Sequence, residues 1–203
     1  MLAACGGESS SDANEAAGNY DVRVTTASFP AEQRLGQTSL MRIGVRNTGE
    51  KALPALVVTI AIAGKEGRTS SLPFAVRDPQ PGLAQPDRPV WVLAQTYPRL
   101  AGSSEPGGAF TSSRKTFSFG PLKPGKTTET VWKLSAVRAG KFTVVYEIDA
   151  GLSGAANART AGGVSPGGSF VTEISAALPD TEVTDSGEVL EKQQQRQRGE
   201  SGE

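Results

Sequence analysis

The stretch Leu40–Gly64, LMRIGVRNTGEKALPALVVTIAIAG, decides how this chain folds. In its first part Met41, Ile43 and Val45 alternate with Arg42, Gly44 and Arg46. In its second part Leu56, Val58, Ile60 and Ile62 alternate with Val57, Thr59, Ala61 and Ala63. Successive side chains of a strand point to opposite faces, so this period of two predicts two strands with one face on a core. Asn47-Thr48-Gly49-Glu50 between them supplies a turn. An asparagine side chain there bonds its own backbone, and glycine takes a positive φ without steric cost.

Working outward, the same period recurs. Tyr20, Val22 and Val24 alternate with Asp21, Arg23 and Thr25 before Pro30 ends the run. Further strands are predicted at Val90–Ala94, Thr116–Phe119, Thr128–Val137, Phe142–Asp149 and Phe170–Ile174. Between them lie a proline-rich loop from Gly64 to Pro89, a Gly/Ser-rich loop from Thr96 to Ser113 and a Gly/Ala/Ser loop from Gly151 to Gly168. Many short strands, frequent turn signals and no helical period predict an all-β, immunoglobulin-like sandwich of seven to eight antiparallel strands. The expected organisation is a flexible tether over 1–19, the sandwich over 20–178, and a small hairpin with a polar tail over 179–203. Asp185-Ser186-Gly187 is the hairpin turn, with a short helix from Ser186 as the competing reading. Both tails have disorder-prone composition.

The chain has 203 residues, 37% of them hydrophobic, with 24 glycines, 13 prolines and no histidine. The missing histidines remove the commonest general base and the commonest metal ligand together. Net charge is zero but unevenly spread: residues 20–178 hold 18 bases against 11 acids, between two acidic ends. The single cysteine cannot form an internal disulfide.

That cysteine closes Leu2-Ala3-Ala4-Cys5, which resembles the lipobox of bacterial, especially actinobacterial, lipoproteins. The resemblance implies lipidation of Cys5, and it implies a basic, apolar leader upstream of Met1. A chance match at a polar chain end is the competing reading. Gly6-Gly7-Glu8-Ser9-Ser10-Ser11-Asp12 has the composition of a tether. No apolar run approaches the ~20 residues of a membrane-spanning helix.

Val45–Glu50 (VRNTGE), Pro121–Thr127 (PLKPGKT) and Ala139–Val144 (AGKFTV) resemble the immunoglobulin-like, CARDB-like domains of bacterial surface proteins. The resemblance covers roughly residues 20–178 and implies fold and a surface address, not a ligand. It departs in lacking a cysteine pair. Phe142 stands where a tyrosine-corner Tyr is expected and Val144 where the second Cys is expected.

Three motif matches fail on their chemistry. Gly120–Thr127 spells the phosphate-loop pattern, but Pro121 and Pro124 remove two amide donors and the following segment has β rather than helical period. Ser112–Lys115 spells S-x-x-K without the companion elements of acyl-transfer enzymes. Asp78, Asp87, Glu147 and Asp149 fit no known calcium loop. No enzyme, metal, cofactor or nucleic-acid partner is expected.

The candidate ligand or partner contacts are Trp91, Tyr97, Arg42 and Arg46. Trp132 alternates with core positions, whereas both faces of Val90–Ala94 are apolar, leaving Trp91 in the core or at a site flanked by long loops. Arg42 and Arg46 share an outward face. With Arg23, Lys51, Lys133 and Lys141 they could form a basic surface toward anionic lipid or wall polymer, or a scattered solvated one. The expected function is a lipid-anchored envelope protein on the outer face of the cell membrane. Its non-catalytic domain would meet an envelope protein or polymer through loop ends or a sheet edge. The alternative is a small-ligand or carbohydrate-binding module using exposed Trp91 and Tyr97.

Overall fold

The computed structural model describes residues 15–63, 69–71, 74–76, 89–105, 109–110, 115–177, 181–183, 185 and 189–191. Its elements are all strands. They run β1 (Gly18–Ser28), β2 (Glu32–Arg34), β3 (Thr38–Asn47), β4 (Val57–Ala63), β5 (Thr69–Ser71), β6 (Phe74–Val76), β7 (Trp91–Leu93) and β8 (Arg99–Leu100). There follow β9 (Ala109–Phe110), β10 (Thr116–Ser118), β11 (Thr127–Ala136), β12 (Gly140–Asp149), β13 (Ala156–Arg159), β14 (Gly167–Ser175), β15 (Thr181–Val183) and β16 (Val189–Glu191).

Two sheets make the sandwich. One has the order β13-β1-β3-β11-β7-β6, with β8 also on β11. The other has the order β2-β14-β12-β4-β10-β9, with β5 also on β4. The ladders β1-β3-β11-β7 and β14-β12-β4 reproduce the A-B-E-D and G-F-C sheets of an immunoglobulin-like Greek key, and β10, which follows β7 in the chain, extends the second sheet beyond β4. These central ladders are antiparallel, but β13 on β1, β2 on β14 and β6 on β7 pair in parallel. The β2 pairing arises because the chain crosses between sheets at Phe29–Ala31, so β2 comes to lie beside β14 rather than β3.

The alternation read from Leu40–Gly64 becomes the core. Met41, Ile43 and Val45 from β3 and Trp132 and Leu134 from β11 meet Val58 and Ile60 from β4, Phe117 from β10 and Val144 and Ile148 from β12. Each such fully buried large side chain contributes about 1.5–3 kcal/mol of transfer free energy. Trp132 lies edge-on to Phe117 and Phe119, with ring centroids 5.9 and 5.7 Å apart.

The predicted strands are all present, with ends displaced by a few residues, and the predicted loops contain short strands of their own. From the Gly64–Pro89 loop, β5 turns back on β4 and β6 joins β7. The Thr96–Ser113 loop holds β8 and β9, and the Gly151–Gly168 loop holds β13. The C-terminal hairpin is β15 against β16, with Thr181 opposite Glu191 and Val183 opposite Val189. The tether ahead of residue 15, the polar tail after 191, Asp78, Asp87 and Ser112 to Arg114 lie outside the described residues.

Gly44 shows how closely β1 crosses β3. A register shift between Val24 and Thr26 bulges β1, and a Cβ on Gly44 would lie 2.7 Å from Thr25 Oγ1 and 3.1 Å from Thr26 Cβ. Gly44→Val therefore forces the bulge apart. A loss of about 1–3 kcal/mol is expected, in line with overpacking elsewhere, and urea unfolding measures it.

Candidate functional site

The turn Asn47–Glu50 and the loop Gly120–Lys126 meet at one end of the sandwich, and Asn47 joins them. Its side chain is fully buried. Its Nδ2 donates to the carbonyls of Lys51 at 2.8 Å and Leu122 at 2.9 Å, and its Oδ1 accepts from Gly49 N at 3.0 Å. Its own amide donates to Lys126 O, and Gly125 N donates to Asn47 O, both at 3.0 Å. Leu53 and Leu122 exchange backbone bonds beside it. The amides of Leu122, Gly125 and Lys126, which a phosphate loop would aim at its ligand, are thus spent on the protein itself. The loop then enters β11 as a strand.

Trp91 corrects its reading as a surface contact. It is fully buried, lying edge-on to Phe29 at 5.3 Å and to Phe142 at 5.9 Å. Its Nε1 donates to Gln33 Oε1 at 2.8 Å, and Gln33 Nε2 donates to the Pro30 carbonyl at 3.2 Å. The physical reason is register: Trp91 lies opposite Ala136 and Leu93 opposite Leu134, so both take the inward face that those core residues of β11 define. Tyr97 precedes a cis peptide bond to Pro98 and packs half-buried against the core, with Arg99 Cζ 4.4 Å from its ring centroid. Trp91 and Tyr97 therefore form no exposed aromatic platform.

Arg42 and Arg46 do stand on the outer face of the β1-β3-β11 sheet. Arg42 Nη1 donates to Glu129 Oε1 at 2.7 Å, with both side chains partly solvated. Exposed pairs of this kind contribute little, so Arg42→Ala is expected to cost no more than about 1 kcal/mol, and less at high salt, in a urea titration. Arg46 is exposed and directly opposite Arg23 on β1, with no ion pair for either among the described residues. Lys133 lies on the same face, opposite Leu40. Lys141 does not: it is on the other sheet, opposite Glu173. Lys51 lies in the turn after β3. Arg99, opposite Val131, and Arg159, beside Asp21, join the face from the short strands β8 and β13. No period marks strands of two and four residues, which is why the sequence left both unassigned.

A further feature is an open strand edge. Glu173 N donates to Ala31 O and Ser175 O accepts from Leu35 N, so the odd-numbered backbone groups of β14 point away from β12. Beside β2 these groups are paired; at Gly167, Ser169 and Val171 no described residue pairs with them. Val171 is 51% exposed there. The run Gly167-Gly168-Ser169 is the only sequence signal, small residues at an edge. Around the paired end, Glu32, Gln33, Arg34, Gln37, Glu173 and Ser175 line an open polar hollow of about 420 Å³.

Among the described residues no group of three or more His, Cys, Asp or Glu could hold a metal ion, and no helix is long and apolar enough to cross a membrane. Burial pushes the Tyr146 phenol above its ordinary value. Cys5 lies outside the described residues.

No protein-family model and no curated protein sequence matches this chain. Among solved structures, the chain is similar to the CARDB domain of the PF1109 protein from Pyrococcus furiosus, solved in complex with di-metal ions. That match has 8% identity and a TM-score of 0.40, and covers 77% of this chain and 86% of that one. It is also similar to the ASH/PapD-like domain 7 of human CEP192, at 9% identity and a TM-score of 0.39 over 88% and 96% of the two chains. A third is AvmM, which catalyses macrocyclisation in alchivemycin A biosynthesis, at 12% identity and a TM-score of 0.41 over 79% and 92%. What the chain shares with the CARDB and PapD-like domains is the all-β, immunoglobulin-like sandwich itself.

Proposed function

We propose that this chain is a lipid-anchored protein of the bacterial cell envelope whose immunoglobulin-like domain is a non-catalytic interaction module. The observation that supports the interaction role is the half-covered edge of β14. Gly167, Ser169 and Val171 offer an added strand backbone donors and acceptors that no described residue pairs. The anchor rests on Cys5 at the end of its lipobox-like run, ahead of a polar tether. The buried indole of Trp91 takes away the basis of the alternative carbohydrate reading.

The test uses the gene with its upstream region, expressed in a bacterium fed an alkyne fatty acid. The protein takes up label and Cys5→Ser does not; equal labelling of both refutes the anchor. The edge is tested separately by Ser169→Pro, which removes an outward amide without breaking a ladder bond. Envelope proteins recovered with the natural chain are lost with Ser169→Pro. Recovery of the same proteins by both refutes the edge as the contact.

A further inference from the structure

The two outer faces of the sandwich carry opposite charge. On the β1-β3-β11 face, among the described residues, Arg23, Arg42, Arg46, Arg99, Lys133 and Arg159 stand against two acids, Asp21 and Glu129. On the β14-β12-β4 face, among the described residues, Glu32, Glu147, Asp149 and Glu173 stand against Arg34 and Lys141. Glu129 is taken by Arg42. Arg23 and Arg46 face each other across the ladder, an arrangement that destabilises a sheet and that an anion outside it relieves. The exposed Leu40 lies beside Lys133 on this face.

We propose that the outer face of the β1-β3-β11 sheet docks on the anionic headgroups of the membrane that holds the chain. This rests on the anchoring reading for the choice of partner. Glu15 is ten residue steps from Cys5, so the covalent chain allows the domain at most about 35 Å from its anchor. Glu15 is fixed to the domain by Leu152 N at 2.7 Å and Ser153 N at 2.8 Å, just before the chain enters β1, a strand of the basic sheet. A tether that short keeps the headgroups at high effective concentration next to that sheet. The field of the basic face then turns it toward the membrane and the acidic face outward.

The test uses the full chain carrying Cys5→Ser, so that no acyl chain contributes, with vesicles of about 30% phosphatidylglycerol in phosphatidylcholine. Binding is expected at low salt and falls at least about tenfold between about 50 and 300 mM NaCl. Each neutralised base on the face weakens binding about fivefold, so Arg23→Gln with Arg46→Gln gives about 25-fold and Lys133→Gln about fivefold. Lys141→Gln, on the opposite face, leaves it unchanged. Far-UV circular dichroism confirms that the variants fold. No binding at low salt, equal binding to pure phosphatidylcholine, or equal losses from Lys141→Gln and Lys133→Gln overturns the proposal. So does binding of a soluble wall polyanion in place of vesicles. Fatty-acid labelling at Cys5 reports on the anchor independently of every one of these outcomes.

Discussion

Asn47→Ala is expected to lower the unfolding free energy by about 2–3 kcal/mol, because it removes three side-chain hydrogen bonds, at about 0.5–1.5 kcal/mol each, that hold the turn after β3 against the loop before β11. The bonds run to the carbonyls of Lys51 and Leu122 and from the amide of Gly49. Leu122 O keeps its bond from Leu53 N and Gly49 N its bond to Asp21 O, so the loss falls on Lys51 O and on the link between the two loops. Asn47→Asp separates the contributions. It keeps an acceptor for Gly49 N but sets a carboxylate against two carbonyl oxygens, so it is expected to cost at least as much as alanine near neutral pH. Thr48→Ala, at an exposed neighbouring position, changes stability by less than about 0.5 kcal/mol. Urea midpoints of the four proteins measure the set. Equal midpoints for the natural chain and Asn47→Ala would show that the two loops are held by something else.

Trp91→Ala is expected to cost about 3–5 kcal/mol, the range for truncating a large aromatic in a packed core. The upper end applies, because the change also strands Gln33 Oε1, which accepts from the indole. Trp91→Phe keeps most of the edge-on packing against Phe29 and Phe142 and loses the hydrogen bond. It should cost about 1–3 kcal/mol, the penalty of one unsatisfied buried acceptor. Tyr97→Ala costs less than Trp91→Ala, since Tyr97 is only half-buried and its ring is partly covered by Arg99. Thermal unfolding ranks the three. A Tyr97→Ala loss equal to that of Trp91→Ala would contradict the burial described for both rings.

These two residues also mark where sequence reading stops. Strands β3, β4, β11 and β12 each run seven residues or more with one face on the core, and there the alternation of Met41-Ile43-Val45 or Trp132-Leu134 names the inward side. In Val90–Ala94 both faces are apolar, so no alternation exists to place Trp91; its burial is decided by its register opposite Ala136 of β11. Asn47 was legible as a turn residue bonding its own backbone, which the Gly49 contact realises. Its bond to Leu122, 75 positions away, was not, because nothing local to either residue encodes it. Gln33 sits in the polar triplet Glu32-Gln33-Arg34 and is nonetheless buried, since β2 pairs in parallel with β14 and turns that side chain toward Trp91. The basic face was legible in Arg23, Arg42, Arg46 and Lys133, which lie on long alternating strands. Lys141 was misplaced onto it because alternation assigns a side within a sheet but not which sheet.

Solution NMR of the full chain tests the sandwich most directly, through cross-strand contacts of β11. Thr130 should meet Ile43 and Trp132 should meet Met41 across the ladder, while Ser169 and Val171 amides exchange fast beside slowly exchanging β12 amides. A run of helical contacts three residues apart from Lys126 onward, with neither cross-strand pair, would contradict the two-sheet core and every surface assigned on it.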